Sequence, residues 1–188
     1  MIDLKFKENE GLFLEGTGSI VFDHLYKRAY ACISSRTDPN LLNVVCKHLG
    51  YEAVVFEAFD ENSKLIYHTN VMMWIGTTVA AICAEAIRDS KTKVHSGHQI
   101  KILESYMVHL TFQMAVTKEL RSTGRQLLYL SHDEIKGFAG NCLELRTRHE
   151  ELILAISDTA VKSMRASNLM ALKGHLRLVV ANVPTIEK

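Results

Sequence analysis

The sequence predicts a mixed α/β protein built from repeated strand and helix modules, and three observations predict it. An amphipathic helix, a glycine stop and an apolar strand follow one another three times along the 188 residues. Two of these strands lead into the same kind of turn, an aromatic residue with an asparagine three positions later, which opens another apolar strand. Finally, 47% of the residues are hydrophobic, enough to bury one substantial core in a chain of this length.

The first helix opens at Asp38 as N-cap with Pro39 as its first residue. It carries Leu41, Leu42, Val45 and Leu49 on one face and stops at Gly50. Glu52 to Phe59, rich in valine and phenylalanine, reads as the strand that follows. The second helix carries Leu103, Tyr106, Met107, Leu110 and Met114 and ends at Ser122-Thr123-Gly124, before a strand from Gln126 to Leu130. The third opens at Asp158, runs through Val161, Met164 and Leu169, stops at Gly174 and hands over to a strand from Leu176 to Val183. The shared turns are Tyr67-His68-Thr69-Asn70-Val71 and Phe138-Ala139-Gly140-Asn141-Cys142. By the same spacing a third turn falls at about Lys188. Modules that cannot bury a face alone pack on copies of themselves, and an open sheet edge invites aggregation. A longer protein, a companion chain or a homo-oligomer is therefore expected to cover the ends. An ordinary open α/β sheet is the alternative.

Charge excludes some functions. Lys and Arg number 22 against 21 Asp and Glu, with no block of either sign, so neither nucleic acid nor a membrane surface is an expected partner. The start of the chain alternates apolar and charged residues, unlike a secretory signal, and the apolar stretch from Val71 to Cys83 is broken by Gly76, Thr77 and Thr78. The four cysteines, Cys32, Cys46, Cys83 and Cys142, lack metal-binding spacing and read as buried small residues of a reduced, cytoplasmic protein. His95 and His98 are three apart but flank Ser96-Gly97, a loop signal, and spacing gives neither them nor His109 and His132 a third ligand. No metal and no cofactor are expected. Met72-Met73-Trp74 reads as core, Lys162, Arg165 and Lys173 as a solvated helix face, and residues 88–98 as a surface insertion.

Two segments hold candidate chemistry. Leu14-Glu15-Gly16-Thr17-Gly18-Ser19 places a carboxylate at the end of an apolar strand beside glycines that admit close backbone approach, without matching a dinucleotide or phosphate loop. His68 and Asn70 lie in a polar trio between apolar residues, where buried polar groups need partners. By spacing alone His68 reads more readily as a satisfied structural histidine than as a catalyst.

The order Phe13-Leu14-Glu15-Gly16-Thr17-Gly18-Ser19, Arg36-Thr37, Tyr67-His68-Thr69-Asn70-Val71-Met72-Met73 and Phe138-Ala139-Gly140-Asn141 resembles the amidinotransferase and arginine deiminase superfamily, particularly its citrulline-hydrolysing branch. The resemblance implies an α/β propeller of five ββαβ modules, of which this chain would hold about three in one incomplete domain. It also implies attack by a cysteine thiolate on a guanidino or ureido carbon. Glu15 matches the acidic residue that orients the histidine and binds substrate nitrogen, and His68 matches the general acid and base. Asn70 and Ser19 stand where guanidine-specific relatives carry aspartates. A neutral amide suits a ureido group better than a guanidinium, so citrulline is the expected substrate and Asn70 a residue that binds it. The nucleophile in that superfamily follows a segment like Val183-Pro184-Thr185-Ile186-Glu187-Lys188, so the chain is expected to be truncated at both ends and inactive alone. The alternative is an inactive binding or assembly module that retains the scaffold.

Overall fold

The computed structural model describes residues 3–88 and 113–187. The chain divides into two compact units, residues 1–69 with 87–116, and residues 70–86 with 117–188. The segment read as a surface insertion and most of the second helix, including Leu103, Tyr106, Met107 and Leu110, lie outside the described residues, as do His95, His98 and His109.

The first unit holds a sheet of four strands in the order β1 (Val21–Asp23), β2 (Arg28–Cys32), β3 (Glu52–Ala58) and β6 (Ile87–Arg88). β1 runs antiparallel to β2, and β2 runs parallel to β3 with Ala31 opposite Val55. A parallel neighbour needs a crossover, supplied here by helix α2 (Pro39–Leu49). Its boundaries match the sequence reading: the Asp38 carboxylate accepts from Asn40 N and Leu41 N at 2.9 Å, and Gly50 closes the helix in the left-handed conformation. Its inward stripe differs slightly. Leu42 and Cys46 pack with Ile20, Ala29 and Ala31, whereas Leu49, at the last turn, is 51% exposed.

The second unit repeats the pairing rule twice. β4 (Met73–Ile75) lies antiparallel to β5 (Val79–Ile82), which is parallel to β7 (Gln126–Tyr129). The crossover contains a helix, α3, described over 113–121. β8 (Leu143–Arg146) lies antiparallel to β9 (Leu152–Ser157), which is parallel to β10 (Arg177–Ala181) across helices α5 (Asp158–Ser163) and α6 (Ala166–His175). The ββαβ module therefore occurs three times. Every residue of β5 is buried, as expected of a strand with neighbours on both sides, and Met72, Met73 and Trp74 join that core. The two asparagine-bearing turns touch within this unit: a Cβ added at Gly140 would fall 2.0 Å from Val71 O, so only glycine fits.

Four boundaries differ from the sequence reading. The third helix is two helices, because Arg165 N donates to Glu134 Oε1 at 2.9 Å instead of continuing the helical ladder. Its cap is Ser157, whose Oγ accepts from Ala160 N, rather than Asp158. Gly174 lies inside α6 rather than ending it. Leu14 makes a single bridge to Thr37 rather than a strand, and the chain turns at once into the helical turn α1 (Gly16–Ser19). The sequence reading also missed α4 (His132–Lys136), although Ser131 and Glu134 form a capping box that the sequence spells out.

Candidate active site

Three loops of the first unit meet around Glu15. The first is α1, where Gly16 takes φ 52°, a left-handed conformation that glycine adopts without strain. The second is the tight turn after β2, closed by Thr37 N donating to Ser34 O at 3.1 Å and by Arg36 N donating to Ser34 Oγ at 3.0 Å. The third is the segment Tyr67 to Thr69. Side-chain hydroxyls tie them together: Ser34 Oγ donates to Tyr67 O at 2.7 Å, and Ser19 Oγ accepts from Glu15 N at 3.0 Å while donating to Arg36 O at 2.7 Å. Thr69 Oγ1 donates to Ser19 O at 2.5 Å and accepts from Cys32 N at 2.8 Å. Ser19 is wholly buried in this framework.

The framework brings together Glu15, Arg36 and His68. Glu15 Oε2 lies 2.6 Å from His68 Nε2, and Arg36 Nη1 donates to both carboxylate oxygens at 2.9 and 3.0 Å. The Tyr67 ring stands 4.7 Å from the imidazole, and the Arg36 guanidinium lies 5.9 Å from the Tyr67 centroid, within cation–π range. Gly18 forms the floor: a Cβ there would lie 2.9 Å from His68 Cε1 and Nδ1, so the imidazole seats against bare backbone. The hydrogen bond from His68 first, and Arg36 by bonding and charge, hold the Glu15 carboxyl below its ordinary range against a desolvation that opposes them. The carboxylate is thus ionised at neutral pH while a third of its side chain remains open to solvent.

Asn70 lies on the single turn Thr69–Val71 next to His68 in sequence, but it belongs to the second compact unit and is half-buried. Sequence reasoning attached no role to Arg36 or Tyr67, and it read Gly18 as admitting close backbone approach without naming the imidazole that seats there. The four cysteines are all buried. Burial pushes the Cys32 thiol up to about 11 and those of Cys83 and Cys142 up to about 12, and it also raises Cys46, the opposite of an activated nucleophile.

A sequence model of the family described as N,N dimethylarginine dimethylhydrolase, eukaryotic, matches residues 1–188. The chain belongs to that family. That family is one of guanidino-modifying enzymes within the amidinotransferase and arginine deiminase superfamily. No curated protein matches the chain. Among solved structures it is similar to apo ArgZ, an arginine dihydrolase of the ornithine-ammonia cycle in Cyanobacteria, at 14% identity and TM-score 0.62 over 97% of this chain and 25% of that one. It is similar also to the N-terminal domain of the cyanobacterial ArgZ, a mutant bound to substrate, at 14% identity and TM-score 0.61 over 97% of this chain and 58% of that one. The chain thus spans between a quarter and about three-fifths of the length of these structures. At such identity the likeness speaks to fold, and it bears out the partial α/β propeller class. Among the described residues no helix is long and apolar enough to cross a membrane.

Proposed function

We propose that this chain carries the acid–base half of an enzyme that hydrolyses a C–N bond at the ureido or guanidino carbon of a citrulline- or arginine-like amino acid. The observation that carries the reading is the 2.6 Å contact between Glu15 Oε2 and His68 Nε2, held by three cross-braced loops. In this reading a cysteine thiolate adds to the substrate carbon and the C–N bond breaks, the departing nitrogen taking a proton from His68. His68 then removes a proton from water, whose oxygen attacks the same carbon, and the C–S bond breaks to return the thiolate. Because Nε2 faces Glu15, the proton that moves sits on Nδ1. Glu15 stabilises the imidazolium and accepts from a substrate N–H with the lone pair that remains on Oε1.

None of the four buried thiols suits the nucleophile, so we assign that role to a cysteine outside these 188 residues, in a longer protein or a companion chain. The family name points to a methylated guanidinium. Arg36 already offsets the Glu15 charge, a balance that suits a neutral ureido group such as citrulline, and Asn70 is assigned as the substrate-binding amide by the family resemblance alone. A reduced, cytoplasmic setting fits four unpaired thiols. The buried thiols also favour the second reading, a scaffold module without activity.

The deciding assay follows ammonia and amine released from citrulline, arginine and N,N-dimethylarginine by the gene's full product and by this chain alone. Turnover by the full product that is lost in His68→Ala, with no turnover by the chain alone, supports the reading. Turnover by the chain alone, or a full product indifferent to His68→Ala, overturns it. A full product inert toward all three compounds supports the scaffold reading.

A further inference from the structure

In the second unit, β5 and β7 are parallel neighbours, with Leu130 N donating to Ile82 O at 2.9 Å where both strands end. The residues that follow those ends are therefore neighbours too. Cys83 follows β5, Glu85 lies in the single turn Ala84–Ala86, and His132 is the first residue of α4 after β7. One ligand atom from each of Cys83, Glu85 and His132 lies within 4.8 Å of the other two. The cluster is braced, since Glu85 Oε1 accepts from His132 N at 2.7 Å while the carboxylate keeps a second oxygen. His132 Nδ1 is buried and, among the described residues, has no hydrogen-bond partner. A buried imidazole nitrogen without a partner is costly unless something else binds it.

We propose that Cys83, Glu85 and His132 form a binding site for a divalent metal of the zinc class. A thiolate, an imidazole and a carboxylate are the donor set that selects such a cation over calcium or magnesium, which take oxygen alone. Thiolate and carboxylate together neutralise a 2+ charge. Tetrahedral coordination at ordinary zinc bond lengths places ligand atoms about 3.4–3.8 Å apart. The cluster needs to close by roughly 1 Å from its widest, and the exposed Glu85 side chain has room to move. On binding, the Cys83 S–H bond breaks, the metal–sulfur bond forms and the proton leaves to solvent. Three protein ligands leave a fourth position for water. Spacing along the sequence did not reveal the set because His132 comes 47 residues after Glu85.

The test is titration of metal-stripped protein with cobalt(II), read by the near-ultraviolet thiolate-to-cobalt charge-transfer band, followed by displacement with zinc. One equivalent of cobalt with that band is expected. Cys83→Ser should abolish the band, and Glu85→Gln or His132→Ala should weaken binding by about 100-fold or more, beyond what loss of a supporting residue costs. His68→Ala should leave the band intact, which separates this site from Glu15 and His68. Absence of the band in the unmodified protein overturns the proposal. So does a band that survives Cys83→Ser, or one unchanged in folded Glu85→Gln, which also covers the case in which Cys83→Ser does not fold.

Discussion

Glu15 and Glu134 are both carboxylates held by an arginine, and their surroundings separate a site from a strut. Glu134 is 1% exposed and accepts four donors: Arg165 N and Asn168 Nδ2 at Oε1, and Ser131 N and Arg165 Nε at Oε2. Arg165 and Asn168 are anchored further by Tyr129 O. Nothing remains to bind a ligand. Glu15 is 34% exposed, faces a histidine rather than backbone, and among the described residues keeps one lone pair of Oε1 that no donor fills. A saturated buried carboxylate fixes the chain, whereas an ionised and unsaturated one offers binding and proton chemistry.

The largest expected effect tests the strut. Glu134→Ala leaves Arg165, Asn168 and two backbone N–H groups without their acceptor, and should cost about 3–5 kcal/mol, read from the urea midpoint of the second unit. Glu15→Ala should leave that midpoint unchanged while removing turnover in the full gene product. If Glu134→Ala unfolds no more readily than Glu15→Ala, the comparison fails.

Acid should separate the two next. Burial acts to raise the Glu134 carboxyl, but the N–H groups of Arg165 and Ser131, the Asn168 amide and the Arg165 charge outweigh it and leave it lowered. A carboxyl lowered in the folded state stabilises above its unfolded value of about 4.3, and that contribution drains away as pH falls through the folded value. Stability of the second unit should therefore decline below about pH 4, with a shallower decline in Glu134→Gln, as followed by pH-dependent denaturation.

A smaller effect sharpens the site. Gly18→Ala forces the imidazole off its floor and should lower turnover by about 100-fold, the usual result of a displacement near 1 Å, without shifting the unfolding midpoint. Smallest of all, Arg36→Gln should raise the Glu15 carboxyl in an NMR titration, since it removes a donor and a positive charge, and leave stability unmoved.

Much of this architecture was legible because its signals are local. Asp38, Pro39 and Gly50 bound α2 through their own backbone preferences, and the recurring helix, stop and strand order predicted the three modules. What escaped reading depends on distant partners. The break at Met164 and Arg165 comes from a carboxylate 31 residues away, which ties the still exposed Arg165 to the buried Glu134. Leu49 sits at α2 spacing but beyond the sheet's reach. Glu15 and His68 stood out as polar groups beside glycines and apolar runs, yet Arg36, which completes their charge, sits in a loop whose sequence carries no periodicity.

The contact between Gly140 and Val71 bears on how such a protein can be recombined. Each turn was read as the repeat's own punctuation, but the second rests directly on the first, so neither belongs to one module alone. A chimera that exchanges either module must bring a residue without a side chain at 140, or the incoming turn will strike the backbone before its strand can pair.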